Sequence, residues 1–188
     1  MKKLMLAVAL MVIAVSAKAQ YSAGDITVQP KVGLNFATMS SGYLEYKTGF
    51  VCGVEGEYHA SSLIGISAGF LYSDQGAKGD DYANYGTWNV QYITVPILAN
   101  FYLFKGFAVK AGIQPGFKTG SNHKIKGEKI DYSSSTKSFD FSIPVGVSYE
   151  FKNICLDVRG VLGCTDVYKT DDVNNTLVQV TLGYKFKL

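Results

Sequence analysis

The sequence lacks a disulfide framework, a zinc motif and a strong excess of charge of one sign. Its 188 residues include three cysteines, Cys52, Cys155 and Cys164. An odd number at scattered spacing does not suggest a set of structural disulfides. No CxxC pair or Cys/His cluster indicates zinc. These absences argue against a small disulfide-stapled domain and against a zinc-binding domain.

The first twenty residues, MKKLMLAVALMVIAVSAKAQ, read as a secretory signal peptide. Two lysines precede an apolar run from Leu4 to Val15, and the letters AKA at 17–19 form a small-x-small cleavage pattern. We predict a signal peptide over 1–19 and a mature domain over 20–188. The apolar run is too short for a transmembrane helix, which needs about 20 residues. Removing the lysines of this segment leaves 15 basic and 15 acidic residues, so nucleic acid is not an expected partner.

What the sequence has instead is alternation of apolar with small or polar residues. Residues 139–151 read FDFSIPVGVSYEF, in which every odd position is apolar. A period of two predicts an extended strand with one apolar face. The alternation recurs in eight segments: 28–36, 50–58, 64–72, 88–103, 107–117, 139–151, 154–162 and 178–188. We predict an all-β fold, an eight-stranded antiparallel up-and-down transmembrane β-barrel.

The fourth segment departs from this pattern. Trp88, Val90 and Tyr92 occupy apolar positions in one phase, whereas the apolar residues that follow take the other phase. One extra residue near 92–94 would restore a continuous apolar face, and a β-bulge supplies such a residue. Pro96 has no N–H to give to the ladder, which also suits a bulge at this place.

The predicted connections alternate between short and long. Tight turns at 61–62, 105–106 and 152–153 join alternate pairs of strands. The other connections are long polar loops at roughly 38–48, 74–87, 118–137 and 164–176. This is the plan of a transmembrane barrel, with its turns in the periplasm and its loops outside. Both termini then fall on the turn side.

Two features orient the predicted faces. A soluble barrel such as a lipocalin also alternates, but its apolar face is inside. Here the polar face is rich in glycine, which suits an eight-stranded interior that is only wide enough for side chains to fill it. The polar face also carries charges of both signs, which can pair in a closed lumen. The predicted lumen charge network is Lys31, Glu55, Glu57, Lys110, Asp140, Glu150, Asp157, Arg159 and Lys185.

Aromatic residues collect near the ends of the apolar faces. Such rings are favoured at both interfaces of a membrane, in one belt near the turns and one near the loops. The predicted interface aromatics are Tyr58, Tyr72, Trp88, Phe107, Phe117, Tyr149 and Phe186. Their placement favours lipid around the outside of the barrel.

Five stretches, in their order and spacing, carry a family resemblance: PKVGLNFATM, GISAGFLYSDQGAK, YITVPILANFYLFKGFAVKAGIQPGF, SIPVGVSYEF and VQVTLGYKF. Together they resemble the small eight-stranded outer-membrane β-barrel domain of Gram-negative bacteria, the "porin family" of OmpA- and OmpX-like barrels. The resemblance implies a location in the bacterial outer membrane and insertion by the barrel-assembly machinery. It implies no single activity.

Two functions are open for the predicted lumen. The cluster of charges is interpreted first as a salt-bridged plug, in a protein with a structural or surface-interaction role. The alternative is a narrow-conductance channel for small solutes through the same lumen. A wide aqueous pore normally takes about 16 strands, so we do not expect one here.

An enzyme that modifies lipid A is a third hypothesis. The chain has two histidines, and His59 lies near the turn side of its strand. His123 lies in the third loop near Ser121 and Glu128. A catalytic base must be held within hydrogen-bond reach of its nucleophile, and a long polar loop gives no sign of that. We expect no catalytic residue, no enzyme activity and no cofactor.

The loops offer two candidate binding sites. In the fourth loop, Asp166, Asp171, Asp172 and Asn174 supply oxygens suited to Ca²⁺, but their spacing matches no known calcium loop. We therefore expect no metal. The third loop has basic side chains that suit the anionic groups of lipopolysaccharide, at Lys118, Lys124, Lys126, Lys129 and Lys137. The expected partners are outer-membrane lipids and lipopolysaccharide, and we expect a monomer.

Overall fold

The fold was analysed in a computed structural model, which describes residues 21–39, 44–79, 87–125, 128–131, 138–166 and 174–188. Eleven strands make up the described structure: β1 (Ile26–Met39), β2 (Leu44–His59), β3 (Ile64–Gly79), β4 (Thr87–Thr94), β5 (Ile97–Phe104), β6 (Phe107–Ile125), β7 (Glu128–Asp131), β8 (Phe139–Phe151), β9 (Ile154–Asp166), β10 (Asn174–Tyr184) and β11 (Phe186–Lys187). In this part of the chain, no helix is long and apolar enough to cross a membrane. The predicted signal peptide at 1–19 lies outside the described residues.

The strands form one antiparallel sheet that closes on itself. The order around the sheet is β1, β2, β3, then β4 with β5, then β6, β8, β9 and β10. β10 pairs in turn with β1, where Lys31 lies opposite Gly183, and this pairing closes the barrel. β4 and β5 are two halves of one wall strand, because both pair with β3 and β6. β11 continues β10 along β1, and β7 pairs with the end of β6. The eight-stranded antiparallel barrel predicted from the alternation is confirmed.

Apolar side chains cover the outside of this barrel and polar side chains line its inside. In β8, the odd-numbered residues are exposed or half-buried and the even-numbered residues are buried, apart from half-buried Gly146. Large apolar side chains elsewhere, such as Val32, Phe70 and Leu182, are more than half exposed. A barrel in lipid requires this inverted distribution, because hydrocarbon accepts apolar side chains and offers no hydrogen bonds.

The fourth wall strand departs from the predicted orientation in its first half. Val90 and Tyr92 are each 1 % exposed and face the lumen, in phase with Thr94 further along the strand. The prediction that Val90 and Tyr92 lie on the outer face is therefore wrong. The lumen holds apolar side chains at this height, including Leu71, which pairs with Thr94 across the sheet. Trp88 belongs to the same half of the strand, but its side chain lies outside the described part of the structure.

A bulge is present near the predicted place, but its extra residue lies in the neighbouring strand. Gln91 pairs with Gly120, whereas Tyr92 pairs with Lys118, so Thr119 of β6 has no opposite residue in β4. The ladder with β3 passes from β4 to β5 in one register. The prediction is thus confirmed for the position along the barrel and wrong for the strand.

Tight turns close one end of the barrel, which we call the turn end. β2 passes to β3 through residues 60–63, β5 to β6 through 105–106, and β8 to β9 through 152–153. The two shorter turns each contain one residue with positive φ, Gly106 at 78° and Lys152 at 58°. The three predicted turns are confirmed, and residues 21–25 and 185–188 lie at the same end.

At the opposite end, the loop end, strands continue into segments that were predicted as loops. β3 runs to Gly79 and β6 to Ile125. The predicted loop starts at 74 and 118 are therefore wrong, because paired strands keep satisfying each other's backbone hydrogen bonds after their side chains stop alternating. The remaining loop residues lie outside the described structure: 40–43, 80–86, 126–127, 132–137 and 167–173.

Candidate functional site in the lumen

Five charged side chains meet in the middle of the lumen and are called the mid-lumen cluster: Lys31, Glu55, Lys110, Asp157 and Arg159. They come from β1, β2, β6 and β9, and each is at most 3 % exposed. Each lies on the inward face of its strand because strand residues alternate between the two faces of a sheet. The cluster contains three cations and two carboxylates, so its positive charge exceeds its negative charge by one.

Arg159 is the central residue of the mid-lumen cluster. Its Nη2 atom donates to Oε2 and Oε1 of Glu55, at 2.7 Å and 2.9 Å. Its Nε and Nη2 atoms donate to the two carboxylate oxygens of Asp157, at 2.7 Å and 2.8 Å. Since β10 and β1 lie between β9 and β2 in the wall, the guanidinium spans the lumen. One planar donor group thus joins carboxylates from two separated strands.

The two lysines complete this network. Lys110 Nζ donates to Asp157 Oδ2 at 2.8 Å. Lys31 forms an ion pair with Glu55, and its Nζ lies 3.5 Å from Asp157 Oδ2. Every carboxylate of the cluster therefore faces more than one cation, which is the arrangement that offsets the desolvation of buried charges.

A second group of side chains, the turn-end cluster, surrounds Glu57 closer to the turns. Asn100 Nδ2 and the Tyr102 hydroxyl both donate to Glu57 Oε1 at 2.8 Å. Lys185 Nζ donates to Glu57 Oε2 at 2.7 Å and to the Tyr102 hydroxyl at 2.9 Å. It also lies 3.3 Å from Oε2 of Glu150. The cluster comprises Glu57, Asn100, Tyr102, Glu150 and Lys185.

Asp140 stands apart from both clusters. Its Oδ2 accepts a hydrogen bond from the Ser142 hydroxyl at 2.6 Å, and its Oδ1 accepts one from the Thr165 hydroxyl at 3.1 Å. The structure therefore places Asp140 among hydroxyl groups near the loop end. The other eight predicted lumen charges fall into the mid-lumen and turn-end clusters.

Several polar residues of the lumen were absent from the sequence prediction. Asn100 and Tyr102 lie on the inward face of β5, where they alternate with the outward-facing apolar residues. This alternation in the sequence could have predicted that both face the lumen. Lys47 Nζ donates to Asp74 Oδ1 at 2.8 Å and to the backbone oxygen of Gln75 at 2.9 Å near the loop end. Both members of that ion pair fell in or beside predicted loops, so alternation gave no signal for them.

Apart from Trp88, whose side chain the structure does not describe, the predicted interface aromatics lie at both ends of the outer surface. At the loop end, Tyr72 and Phe117 are exposed, and Phe117 packs edge-on against Phe139 with ring centroids 5.7 Å apart. Phe107 stacks on Phe104 at 4.7 Å beside a turn. The outward-facing predicted residues at the turn end are Tyr58, Phe107, Tyr149 and Phe186.

The described residues hold no group of three His, Cys, Asp or Glu side chains suited to a metal ion. His59 is fully buried, and its Nε2 atom lies 4.0 Å from Glu57 Oε2, beyond hydrogen-bond distance. Neither ring nitrogen of His59 has a hydrogen-bond partner. His123 pairs with Trp88 in the ladder between β6 and β4, but its side chain lies outside the described structure.

Comparison with known proteins identifies the family. The family described as "Outer membrane protein beta-barrel domain" matches residues 5–186. This chain belongs to that family. The outer-membrane barrel predicted from alternation and resemblance is thus confirmed, and with it the location in the bacterial outer membrane.

Solved structures share the fold of this outer-membrane barrel. Neisserial surface protein A is 16 % identical, with 86 % of this chain and 97 % of that chain covered and a TM-score of 0.59. Ail, the attachment invasion locus protein of Yersinia pestis, is 15 % identical, with 87 % and 99 % covered and a TM-score of 0.54. Ail in complex with the heparin analogue sucrose octasulfate is 13 % identical, with 87 % and 99 % covered and a TM-score of 0.53. At these identities the likeness shows the fold alone.

Among curated proteins, the tRNA uridine 5-carboxymethylaminomethyl modification enzyme MnmG of Endomicrobium trichonymphae is 29 % identical over 130 residues. The match covers 67 % of this chain and 21 % of that enzyme. The outer-membrane barrel therefore spans about a fifth of the length of the curated relative it matches, and no activity is transferred from it.

Proposed function

We propose that this outer-membrane barrel is closed to ions and has a structural or surface-interaction role. The observation that supports this proposal is the mid-lumen cluster, in which Arg159 joins Glu55 and Asp157 across the lumen. The interior of an eight-stranded barrel is just wide enough for side chains to fill it. A hydrated ion would have to displace this buried network in order to pass.

The energy required to displace this network is large on the scale of protein stability. Leaving one member of a buried ion pair without its partner typically costs about 3–5 kcal/mol. Apolar side chains add to the obstruction, because Val51, Leu71 and Leu98 also face the lumen and are at most 1 % exposed. Hydrophobic constrictions oppose wetting and the ion passage that depends on it.

The loop end is the surface that we propose faces outward, because the tight turns lie at the other end and short turns face the periplasm in outer-membrane barrels. Ail, which shares the fold, has a structure in complex with a heparin analogue, a sulfated sugar. We propose that the lysines of the third loop contact the anionic groups of lipopolysaccharide. Outer-membrane lipids surround a monomeric barrel, which the barrel-assembly machinery inserts. Nucleic acid, metal and cofactor have no part in this function.

Single-channel recording in planar bilayers tests the closed lumen. Protein whose insertion has been verified by co-flotation with lipid vesicles is expected to give no steady openings, whereas a porin recorded in the same bilayers gives them. Steady openings of the wild-type protein whose size changes in Glu55→Gln or Arg159→Gln would overturn the proposal. Such openings would establish the narrow channel instead.

Catalysis is tested separately by mass spectrometry of lipid A. Cells that express the wild-type chain and cells that express His123→Ala are expected to contain the same lipid A species. A change in acyl number that depends on His123 would show a lipid-modifying enzyme.

A further inference from the structure

Residues 21–25, immediately before β1, fold back into the turn end of the lumen. Tyr21 is 7 % exposed although it lies outside every strand. The Ser22 backbone N–H donates to Asp25 Oδ2 at 2.9 Å, and the Asp25 N–H donates to the Ser22 carbonyl at 3.1 Å. Gly24, within this turn, has φ of 93°, a conformation that glycine adopts readily. The turn directs the side chain of Tyr21 back towards the barrel interior.

The segment 21–25, which we call the N-terminal strap, is held by backbone and side-chain contacts. Gly24 N–H donates to the His59 carbonyl at 2.8 Å, and His59 N–H donates to the Asp25 carbonyl at 2.9 Å. Lys187 Nζ donates to Asp25 Oδ2 at 2.6 Å, and this hydrogen bond lowers the pKa of Asp25. The strap is thus joined to the end of β2 and to β11.

The phenol ring of Tyr21 meets groups that match each part of it. Its hydroxyl donates to Glu150 Oε1 at 2.5 Å. Its face stacks on the His59 ring, with centroids 3.8 Å apart and planes at 20°. Lys185 Nζ lies 5.1 Å from the ring centroid, within the range of a cation–π contact. Tyr102 approaches at 5.8 Å between centroids, and buried Ala108 completes the apolar side of this cup.

Burial of the phenol in this cup raises the pKa of Tyr21, so the hydroxyl keeps its proton and acts as a donor to Glu150. The Glu150 carboxylate accepts the hydrogen bond, the Lys185 ammonium faces the ring and the His59 imidazole stacks on it. An aliphatic side chain in place of Tyr21 could make none of these three interactions.

We propose that the turn end of the lumen is a binding site for a phenol ring, and that Tyr21 occupies this site in cis as a stopper. The site is built by His59, Tyr102, Glu150 and Lys185. The inference rests on the proposed closed lumen and adds a second closure, independent of the mid-lumen cluster. Signal-peptide cleavage at the predicted bond after residue 19 would place Tyr21 second in the mature chain, beside its free end.

Cys155 provides a native reporter of this site. It faces the lumen, is 1 % exposed and lies opposite Glu150 in the ladder between β8 and β9. Cys52 and Cys164 lie on the outward face of their strands, so Cys52→Ala and Cys164→Ala leave one thiol inside the barrel. The rate at which a small charged methanethiosulfonate modifies Cys155 in the refolded full chain then measures access from the turn end.

The parent with this single thiol is expected to react slowly. Tyr21→Ala should react faster by about tenfold or more, because local opening no longer has to precede modification. Tyr149→Ala is the matched control, since Tyr149 is an exposed tyrosine at the same end on the lipid-facing surface, and its rate should equal that of the parent. Fast labelling of the parent, or equal rates in the parent and Tyr21→Ala, would overturn the proposal.

Chemical rescue tests the specificity for a phenol. p-Cresol reproduces the tyrosine side chain and should slow the labelling of Cys155 in Tyr21→Ala, whereas toluene at the same concentration should not. Equal protection by the two compounds, or none by p-cresol, contradicts a phenol site. If Tyr21→Ala does not refold, Tyr21→Phe keeps the ring and loses the hydrogen bond to Glu150. That variant should label faster than the parent, and an unchanged rate counts against the proposal.

The stopper and the closed lumen can fail independently. A wild-type barrel that conducts, but in which Tyr21 still shields Cys155, would overturn the closed lumen alone. A silent barrel in which Tyr21→Ala leaves the labelling of Cys155 unchanged would overturn the stopper alone.

Discussion

Arg159 Nη2 lies 2.7 Å and 2.9 Å from the carboxylate oxygens of Glu55, although 104 positions separate the two residues along the chain. Their strands, β9 and β2, are not neighbours in the barrel wall. The contact therefore crosses the lumen and joins the second strand of the chain to a strand near its carboxyl-terminal end. It also makes Glu55 and Arg159 the most informative pair for mutagenesis.

Glu55→Gln is expected to destabilise the barrel strongly. The change removes a buried carboxylate and leaves Arg159 and Lys31 without one of their partners. The expected loss is about 3–5 kcal/mol of unfolding free energy. Urea unfolding of the protein reconstituted in lipid vesicles measures this loss.

A double-mutant cycle is the control for that measurement. Glu55→Gln combined with Arg159→Gln should lose less than the sum of the two single changes, because the pair is removed together. Lys187→Gln, which breaks an ion pair in which the lysine side chain is 56 % exposed, should have a much smaller effect. Additive losses in the cycle would show that the two side chains do not interact.

The free-energy cost of a charged side chain on the lipid-facing surface should depend on its depth in the membrane. Val145 is exposed in the middle of β8, and Ile154 is exposed at the turn end of β9. Val145→Arg is expected to cost about 2–4 kcal/mol and Ile154→Arg about 0–1 kcal/mol, because hydrocarbon is driest at its centre. Folding titrations into vesicles compare the two variants, and equal costs would argue against a membrane midplane near Val145.

Substitution by alanine should destabilise the barrel at one of two glycines on neighbouring strands and be tolerated at the other. A Cβ at Gly146 would lie 2.3 Å from the Val158 carbonyl oxygen, a backbone atom that cannot move aside without displacing β9. Gly146→Ala should therefore destabilise the barrel by about 1–3 kcal/mol. A Cβ at Gly160 would meet its nearest atom, the Val145 carbonyl oxygen, at an ordinary 3.8 Å. Gly160→Ala should be tolerated, and the midpoints of thermal unfolding in detergent give the comparison.

The stability of the N-terminal strap should depend on pH through the ionisation of Asp25. The hydrogen bond from Lys187 Nζ lowers the pKa of Asp25, so the ionised carboxylate favours the folded strap. This contribution is present above the unfolded pKa of about 4 and is lost as the pH falls through the lower folded value. An NMR titration of the Asp25 carboxyl carbon should show a higher pKa in Lys187→Gln than in the wild type. Identical titration curves would contradict the contact.

Processing of the amino terminus is open to direct measurement. Export of the full-length precursor should release a mature chain that begins at residue 20, because 17–19 has the small-x-small pattern of a cleavage site. Intact-mass spectrometry of the protein purified from outer membranes gives the amino-terminal residue. A mass that retains 1–19 would show that the segment is not removed.

Alternation predicted the facing of side chains correctly where each apolar residue lies on the lipid side and each polar residue in the lumen. In β8, the sequence FDFSIPVGVSYEF places apolar side chains outward at every second residue, as the structure shows. The fourth wall strand shows the limit of this reasoning. Val90 and Tyr92 are apolar but face a part of the lumen that also holds Leu71, so hydrophobicity alone gave them the wrong face.

The partners of each lumen charge were beyond prediction from the sequence. Alternation indicated that Lys110 and Glu150 point inward, but which carboxylate meets which cation depends on the register of every ladder around the barrel. Lys110 reaches Asp157 from β6, whereas Glu150 accepts a hydrogen bond from Tyr21. Tyr21 precedes the first strand, so no periodic pattern marked it.

The sequence by itself determined that the chain folds as strands with one apolar and one polar face, because side-chain direction along a strand is a local property of the backbone. Short turns and long connections then determined the up-and-down order. The tertiary structure alone decided that Arg159 meets Glu55, that the extra residue of the bulge lies in β6, and that Tyr21 fills the turn end. These contacts arise only when the sheet closes, since closure brings residues far apart in the chain to the same height in one narrow lumen.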